Sequence, residues 1–136
     1  MMNTHPARIV HTAIARDWRE VYRFASAPEN MPRWASGLGA GMRADGDEWI
    51  VDGGPIGLVR VRFAAANDFG VIDHTVTLPD GTEVYNALRV VPNGGGAEVM
   101  FTLLRMPGTG DDAFEADARH VAQDLETLKR LLEEGA

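Results

Sequence analysis

The sequence predicts an α+β domain: an antiparallel sheet with its helices gathered on one face. Three observations carry this. A short β-rich run is followed by a proline-broken helical segment; residues 38–106 alternate in short runs separated by turn signals; and the residues from Phe114 to Leu132 form one amphipathic stripe.

Taken in order, RIVHTAIA at 8–15 is β-rich and short enough for a first strand. In DWREVYRFA, Asp17 and Glu20 make a capping box, and Val21, Phe24 and Ala25 fall on one helical face. Pro28 and Pro32 break that helix and permit only a short second one, with Pro28 in its first turn. Turn signals at 44–47 (ADGD), 52–55 (DGGP), 67–70 (NDFG), 79–81 (PDG) and 93–96 (NGGG) then space out a meander of six strands. In the last element Phe114, Ala118, Val121, Leu125, Leu128 and Leu132 recur at steps of four and three. Thr109 with Asp112, or Asp111 itself, can cap its start, and Gly135 follows its end. Seven strands present more concave surface than one such helix can cover, so a cavity is expected between them.

The 136 residues form one domain, 1–136, large enough for a core without disulfides. Hydrophobic residues at 45% and charged residues at 24% describe a globular chain, and no apolar run approaches the roughly 18 residues of a membrane span. MMNTHPAR lacks the pattern of a signal peptide, which makes the cytoplasm the expected compartment. The absence of cysteine excludes thiolate chemistry and Cys-ligated zinc. A net charge of −7 argues against a nucleic-acid partner. Lys129, the only lysine, lies in the charged last helix, leaving Schiff-base chemistry without a candidate. The serines are Ser26 and Ser36; Ser36 stands in WASGL, not in a nucleophile elbow. GLGAG at 37–41 is not a dinucleotide fingerprint, and His5, His11 and His120 lack metal-ligand spacing, so no cofactor is expected.

VYRFASAPENMPRWASGL resembles the segment after the first strand in the START-like, Bet v1-like (SRPBCC) superfamily. Bacterial members there often read Val-Trp-x-x-(Leu/Ile), then Asp-Pro-Glu-x-x-x-x-Trp. Val21, Pro28, Glu29 and Trp34 fit; Tyr22 replaces the usual Trp and Ala27 the usual Asp. GVIDHTVTLPDG, NGGGAEVMFTLLR and DLETLKRLLE extend the likeness, which is greatest to the polyketide cyclase/dehydrase and lipid-transport-like group. The resemblance implies a helix-grip fold, with a seven-stranded antiparallel sheet wrapped around the long C-terminal helix and two short helices after the first strand. It also implies a pocket for an apolar or aromatic molecule. It implies no reaction, because the superfamily includes carriers, sensors, cyclases, hydrolases and chaperone-activating domains.

Asp73 and His74 are adjacent in an apparent strand, so they must face opposite ways. Pro79-Asp80-Gly81 suits a three-residue hairpin loop, which pairs Leu78 with Thr82, Val76 with Val84, His74 with Asn86 and Ile72 with Leu88. The preceding loop then pairs Phe63 with His74 and Val61 with Val76. Setting Ala97 opposite Pro92 is expected to spoil this agreement, so the NGGG loop is read with one residue more or fewer, bringing Val99, Phe101, Leu103 and Arg105 onto the inner face. The polar members of that face are His74, Asn86 and Arg105. Asp73 falls among the solvated residues of the outer face, so Asp73 and His74 form no dyad.

The expected ligand-binding residues are His74, Asn86, Arg105, Phe63, Phe101 and Leu103, with Trp34 and Trp49 at the entrance or in the core. His74 could be a hydrogen-bonded core imidazole, could orient a ligand, or could act as a general acid or base with Asn86 fixing its tautomer. Arg105 could bind an anionic group or pair with Asp111, Asp112 or Asp117. The first functional reading is a carrier or sensor for a small hydrophobic, aromatic or polyketide-like molecule, acting as monomer or homodimer. The alternatives are a cyclase, dehydratase or hydrolase using His74, and a protein-interaction module like the Hsp90-activating relatives.

Overall fold

The structure, a computed structural model, describes residues 2–38 and 41–135; Gly39 and Ala40 of the GLGAG stretch lie outside the described residues. Strand β1 (Ala7–Ile14) leads into helices α1 (Trp18–Ser26) and α2 (Met31–Trp34) and a 3-10 turn at Ser36–Leu38. Strands β2 (Met42–Asp45), β3 (Glu48–Asp52), β4 (Leu58–Phe63), β5 (His74–Thr77), β6 (Glu83–Asn93) and β7 (Gly96–Leu104) follow, and helix α3 (Asp111–Glu133) closes the series. All neighbouring strands are antiparallel, in the order β1-β7-β6-β5-β4-β3-β2. This is the expected α+β arrangement, a seven-stranded sheet gripping one long helix.

Local chemistry sets the ends of the elements. Asp17 caps α1 by accepting from Arg19 N–H. Proline spacing shortens α2 as expected, but Pro28 lies ahead of it, and Pro32 occupies its first turn. The expected side-chain cap of α3 is not used: its N-cap is Gly110, without a side-chain hydrogen bond, and Asp111 instead takes Arg105 Nη1 at 2.7 Å. The long connection into β5 is organised by Asn67, whose amide bonds Ala65 O, Val71 O and the N–H groups of Phe69 and Val71. Tyr22, where the resembling proteins carry Trp, accepts Asn67 N–H through its hydroxyl. Gly70 ends this connection at φ 72°, where any Cβ would lie 2.0 Å from Val90 O.

The pairing of β4, β5 and β6 follows the expected register: Phe63 opposite His74, Val61 opposite Val76, His74 opposite Asn86 and Val76 opposite Val84. The β6–β7 register corrects the sequence reading. Pro92 does stand opposite Ala97, around the two residues Gly94 and Gly95, and this pairing itself sets Val99 against Val90 and Phe101 against Leu88. Cross-strand partners share a face, so the apolar set stays together without an added or deleted residue.

Two apolar clusters result. The larger joins Ile14, Val21, Val90, Val99, Leu125 and Leu128 across β1, α1, β6, β7 and α3; the smaller joins Val51, Val59 and Val61 on β3 and β4. Each large buried side chain contributes about 1.5–3 kcal/mol. Leu38, Met42 and Phe63 touch both clusters. Val121, although on the helix stripe, is only half-buried and borders the space between the clusters.

Candidate functional site

The site is built where β5 begins. Ile72 N–H donates to Leu88 O at 2.8 Å, as an antiparallel pair requires. The reciprocal groups are taken over by side chains: Leu88 N–H donates to Asp73 Oδ1 at 3.0 Å, and Ile72 O accepts from His74 Nδ1 at 3.1 Å. Adjacent residues thus replace one ladder bond from opposite faces of the sheet.

Asp73 lies on the convex side, as its alternation with His74 predicts, but it is not solvated: it is 3% exposed. Arg89 grips it with two bonds, Nε to Oδ1 at 3.0 Å and Nη2 to Oδ2 at 2.7 Å, and the Tyr85 hydroxyl donates to Oδ2. The Arg89 guanidinium foremost, with Tyr85 and the Leu88 amide, holds this carboxyl below its usual range despite burial. Position on the outer face did not mean exposure, because Tyr85 and Arg89 fold over the acid.

His74 faces the concave side, with its ring centroid 5.3 Å from Phe63 and 6.3 Å from Phe101. A carbonyl oxygen only accepts, so Nδ1 must carry the proton and Nε2 presents a lone pair. Asn86 Nδ2 approaches that lone pair at 3.4 Å, a long contact that leaves it weakly satisfied. Burial pushes the imidazole below its ordinary value and favours the neutral ring.

Around this pair lies a cavity of about 450 Å³. Its walls are chiefly apolar: Val59, Val61, Phe63 and Val76 on the sheet, with Leu125 of α3 and Trp34 of α2 opposite. Gly37, Asp52, Ile56 and His120 are exposed lining residues and mark its opening. Trp34 is buried, and its indole Nε1–H is, among the described residues, the one buried side-chain polar atom without a partner.

His74, Asn86, Phe63, Phe101 and Trp34 therefore border one space. Arg105, Leu103 and Trp49 do not line it. Arg105 binds Thr109 O and Asp111 and stacks over Phe114 of α3, so the first turns of the helix cover that end of the sheet, with Leu103 two residues away. Trp49 stands opposite Val61 and shares its face, yet Val61 lines the cavity and Trp49 does not. Alternation gives the face of a residue and not its distance along the helix that covers it.

The sequence reading missed a polar cluster at the opening. Ser36 Oγ lies 3.0 Å from His120 Nε2 and donates to Asp124 Oδ1 at 2.8 Å, while Asp124 Oδ2 is 3.5 Å from the same His120 nitrogen. Serine and aspartate meet one imidazole nitrogen, whereas a nucleophilic triad needs them on opposite nitrogens. The cluster is thus a latch from the Ser36–Leu38 turn to α3. The spacing of His120 and Asp124 on one helix face was the available signal. Among the described residues no group of three or more His, Cys, Asp or Glu could hold a metal ion, and no helix is long and apolar enough to cross a membrane.

No protein-family model matches the chain, and no curated protein matches it in sequence. Solved structures do match in shape. MLL2253 from Mesorhizobium loti is 16% identical, with a TM-score of 0.73 over 96% of this chain and 99% of that one. The Aha1 dimer from Colwellia psychrerythraea is 15% identical, with a TM-score of 0.73 over 96% and 98%. DynU16, a protein of the dynemicin biosynthetic locus, is 16% identical with a TM-score of 0.72; 95% of this chain is covered, and it spans about half (48%) of DynU16. What these proteins share with the chain is architecture: it has the helix-grip fold of Bet v1-like proteins.

Proposed function

We propose that the protein binds a small, largely apolar molecule in the cavity between sheet and α3, as a carrier or sensor. The observation that carries this reading is the open-mouthed, chiefly apolar volume of about 450 Å³ with one polar pair, His74 and Asn86, on its sheet wall and the remaining polar groups, Asp52, His120 and Asp124, at its opening. Ligand pockets run from about 300 to 1,000 Å³ and combine apolar walls with a few polar groups. DynU16, from a biosynthetic locus, has the same fold, which agrees with a ligand of natural-product type.

Acid–base catalysis is less well supported. It calls for a second titrating group beside the first, and Asp73, the acid adjacent to His74, is committed to Arg89 and Tyr85 on the other face. Uptake of the neutral fluorophore N-phenyl-1-naphthylamine tests the reading. Wild type should bind it with a blue-shifted emission, and Val76→Phe, which adds a ring to the cavity wall, should reduce uptake at least about tenfold while circular dichroism stays unchanged. Equal uptake by both would place the probe outside the cavity and remove the support for this function. Native mass spectrometry of protein from its source would then name any retained ligand.

A further inference from the structure

The polar groups on the cavity wall differ in what they can accept and donate, and that difference sorts ligands by charge. His74 Nδ1–H is spent on Ile72 O, so Nε2 offers only a lone pair to the cavity. Asn86 Nδ2 stands 3.4 Å from it and can donate. A hydroxyl both gives and accepts a hydrogen bond, so it fits against this pair, donating to Nε2 and accepting from Asn86. A carboxylate only accepts; it would meet the lone pair with its own.

Among the described lining residues no Lys or Arg offsets that mismatch, and His120 at the opening faces the carboxylate of Asp124. The acids at the opening are Asp52 and Asp124, and they add negative rather than positive charge there. Arg105, the cation that sequence places on this face, is held by Asp111 outside the cavity. Trp34 Nε1–H is a neutral buried donor and cannot balance a full charge.

We propose that the cavity selects uncharged, hydroxyl-bearing apolar molecules, alcohols or phenols, and excludes the corresponding carboxylates. This rests on the cavity-binding reading above and adds the chemical class of its ligand. Burial disfavours the protonated imidazole that could otherwise rescue a carboxylate.

Four compounds of similar shape test it by displacing N-phenyl-1-naphthylamine near neutral pH: naphthalene, 2-naphthol, 2-methoxynaphthalene and 2-naphthoate. The naphthol should compete at least about tenfold more strongly than the naphthoate and several-fold more strongly than naphthalene, as one added hydrogen bond allows. The methyl ether, which cannot donate, should fall back to the level of naphthalene. In His74→Leu the preference for naphthol over naphthalene should shrink to within about twofold. Naphthoate binding as tightly as naphthol, or methyl ether matching naphthol in wild type, would overturn the charge-class assignment and leave cavity binding intact. Failure of all four to displace the fluorophore would overturn cavity binding itself and this assignment with it. The ligand series reads the outcome in wild-type protein even if the variant does not fold.

Discussion

Asp73 and His74 are neighbours in sequence, yet their surroundings obey different rules. On the convex side the carboxylate of Asp73 has partners for both oxygens: the Leu88 amide, two Arg89 nitrogens and the Tyr85 hydroxyl. On the concave side His74 has one firm bond through Nδ1 and a long contact at Nε2, beside open volume. A polar group whose hydrogen bonds are all made within the protein holds the fold together. One left partly unmade beside a cavity is available to something else. The comparison reverses what the choice of face suggests, since the residue on the convex side is the more buried of the two and the structural one.

The largest effect expected from breaking this contrast is on stability. Asp73→Ala leaves the Leu88 amide, Tyr85 and Arg89 without their acceptor and should cost about 2–4 kcal/mol in denaturant unfolding, below the full loss of a buried pair because Arg89 is half-exposed. His74→Leu should cost less, about 1 kcal/mol, because it leaves a single acceptor, Ile72 O, without its donor while adding apolar volume to an apolar wall. Equal losses at the two positions would erase the distinction.

A smaller effect is expected in pH dependence. Both groups have folded-state values below their unfolded ones, so at each the unfolded chain takes up its proton first as pH falls. Stability should therefore decline from about pH 6.5 downward through His74, as the unfolded imidazole protonates while the buried one resists. A second decline should begin near pH 3.8 through Asp73, whose carboxylate stabilises the fold above that range. His74→Leu should flatten the first limb and Asp73→Asn the second, in urea melts taken across pH; an unchanged first limb in His74→Leu would assign it to other histidines.

The smallest effect concerns the latch. Ser36→Ala should alter stability by less than about 1 kcal/mol, since the bonds lost are exposed. It should speed fluorophore exchange in stopped-flow more than it changes affinity, because the latch holds His120 and Asp124 at the opening and does not touch the deep pair.

The sequence made the sheet legible wherever turn chemistry was decisive. Pro79-Asp80-Gly81 specifies the register of β5 and β6, and with it the pairing of His74 with Asn86. Three consecutive glycines carry no comparable instruction, and there the register differs from the expected one although the apolar faces agree. Residues joined through tertiary packing were less accessible. Ser36 and His120 are 84 positions apart and meet only because α2 packs on α3. Arg105 and Leu103 were assigned to the right face and the wrong place along it, since strand alternation says nothing about where the covering helix begins.

The strand order also bears on time. β1 pairs along its whole length with β7, Ala7 opposite Leu104 and Ile14 opposite Ala97. During synthesis at about 5–20 residues per second, hairpins of the meander can close as they emerge, while β1 waits several seconds for its partner. RIVHTAIA is a β-prone segment, and an unpaired strand of this kind invites pairing with other chains. The nascent chain is thus most vulnerable to aggregation before β7 emerges, and early occupation of β1 by a chaperone would protect it without delaying the rest of the sheet.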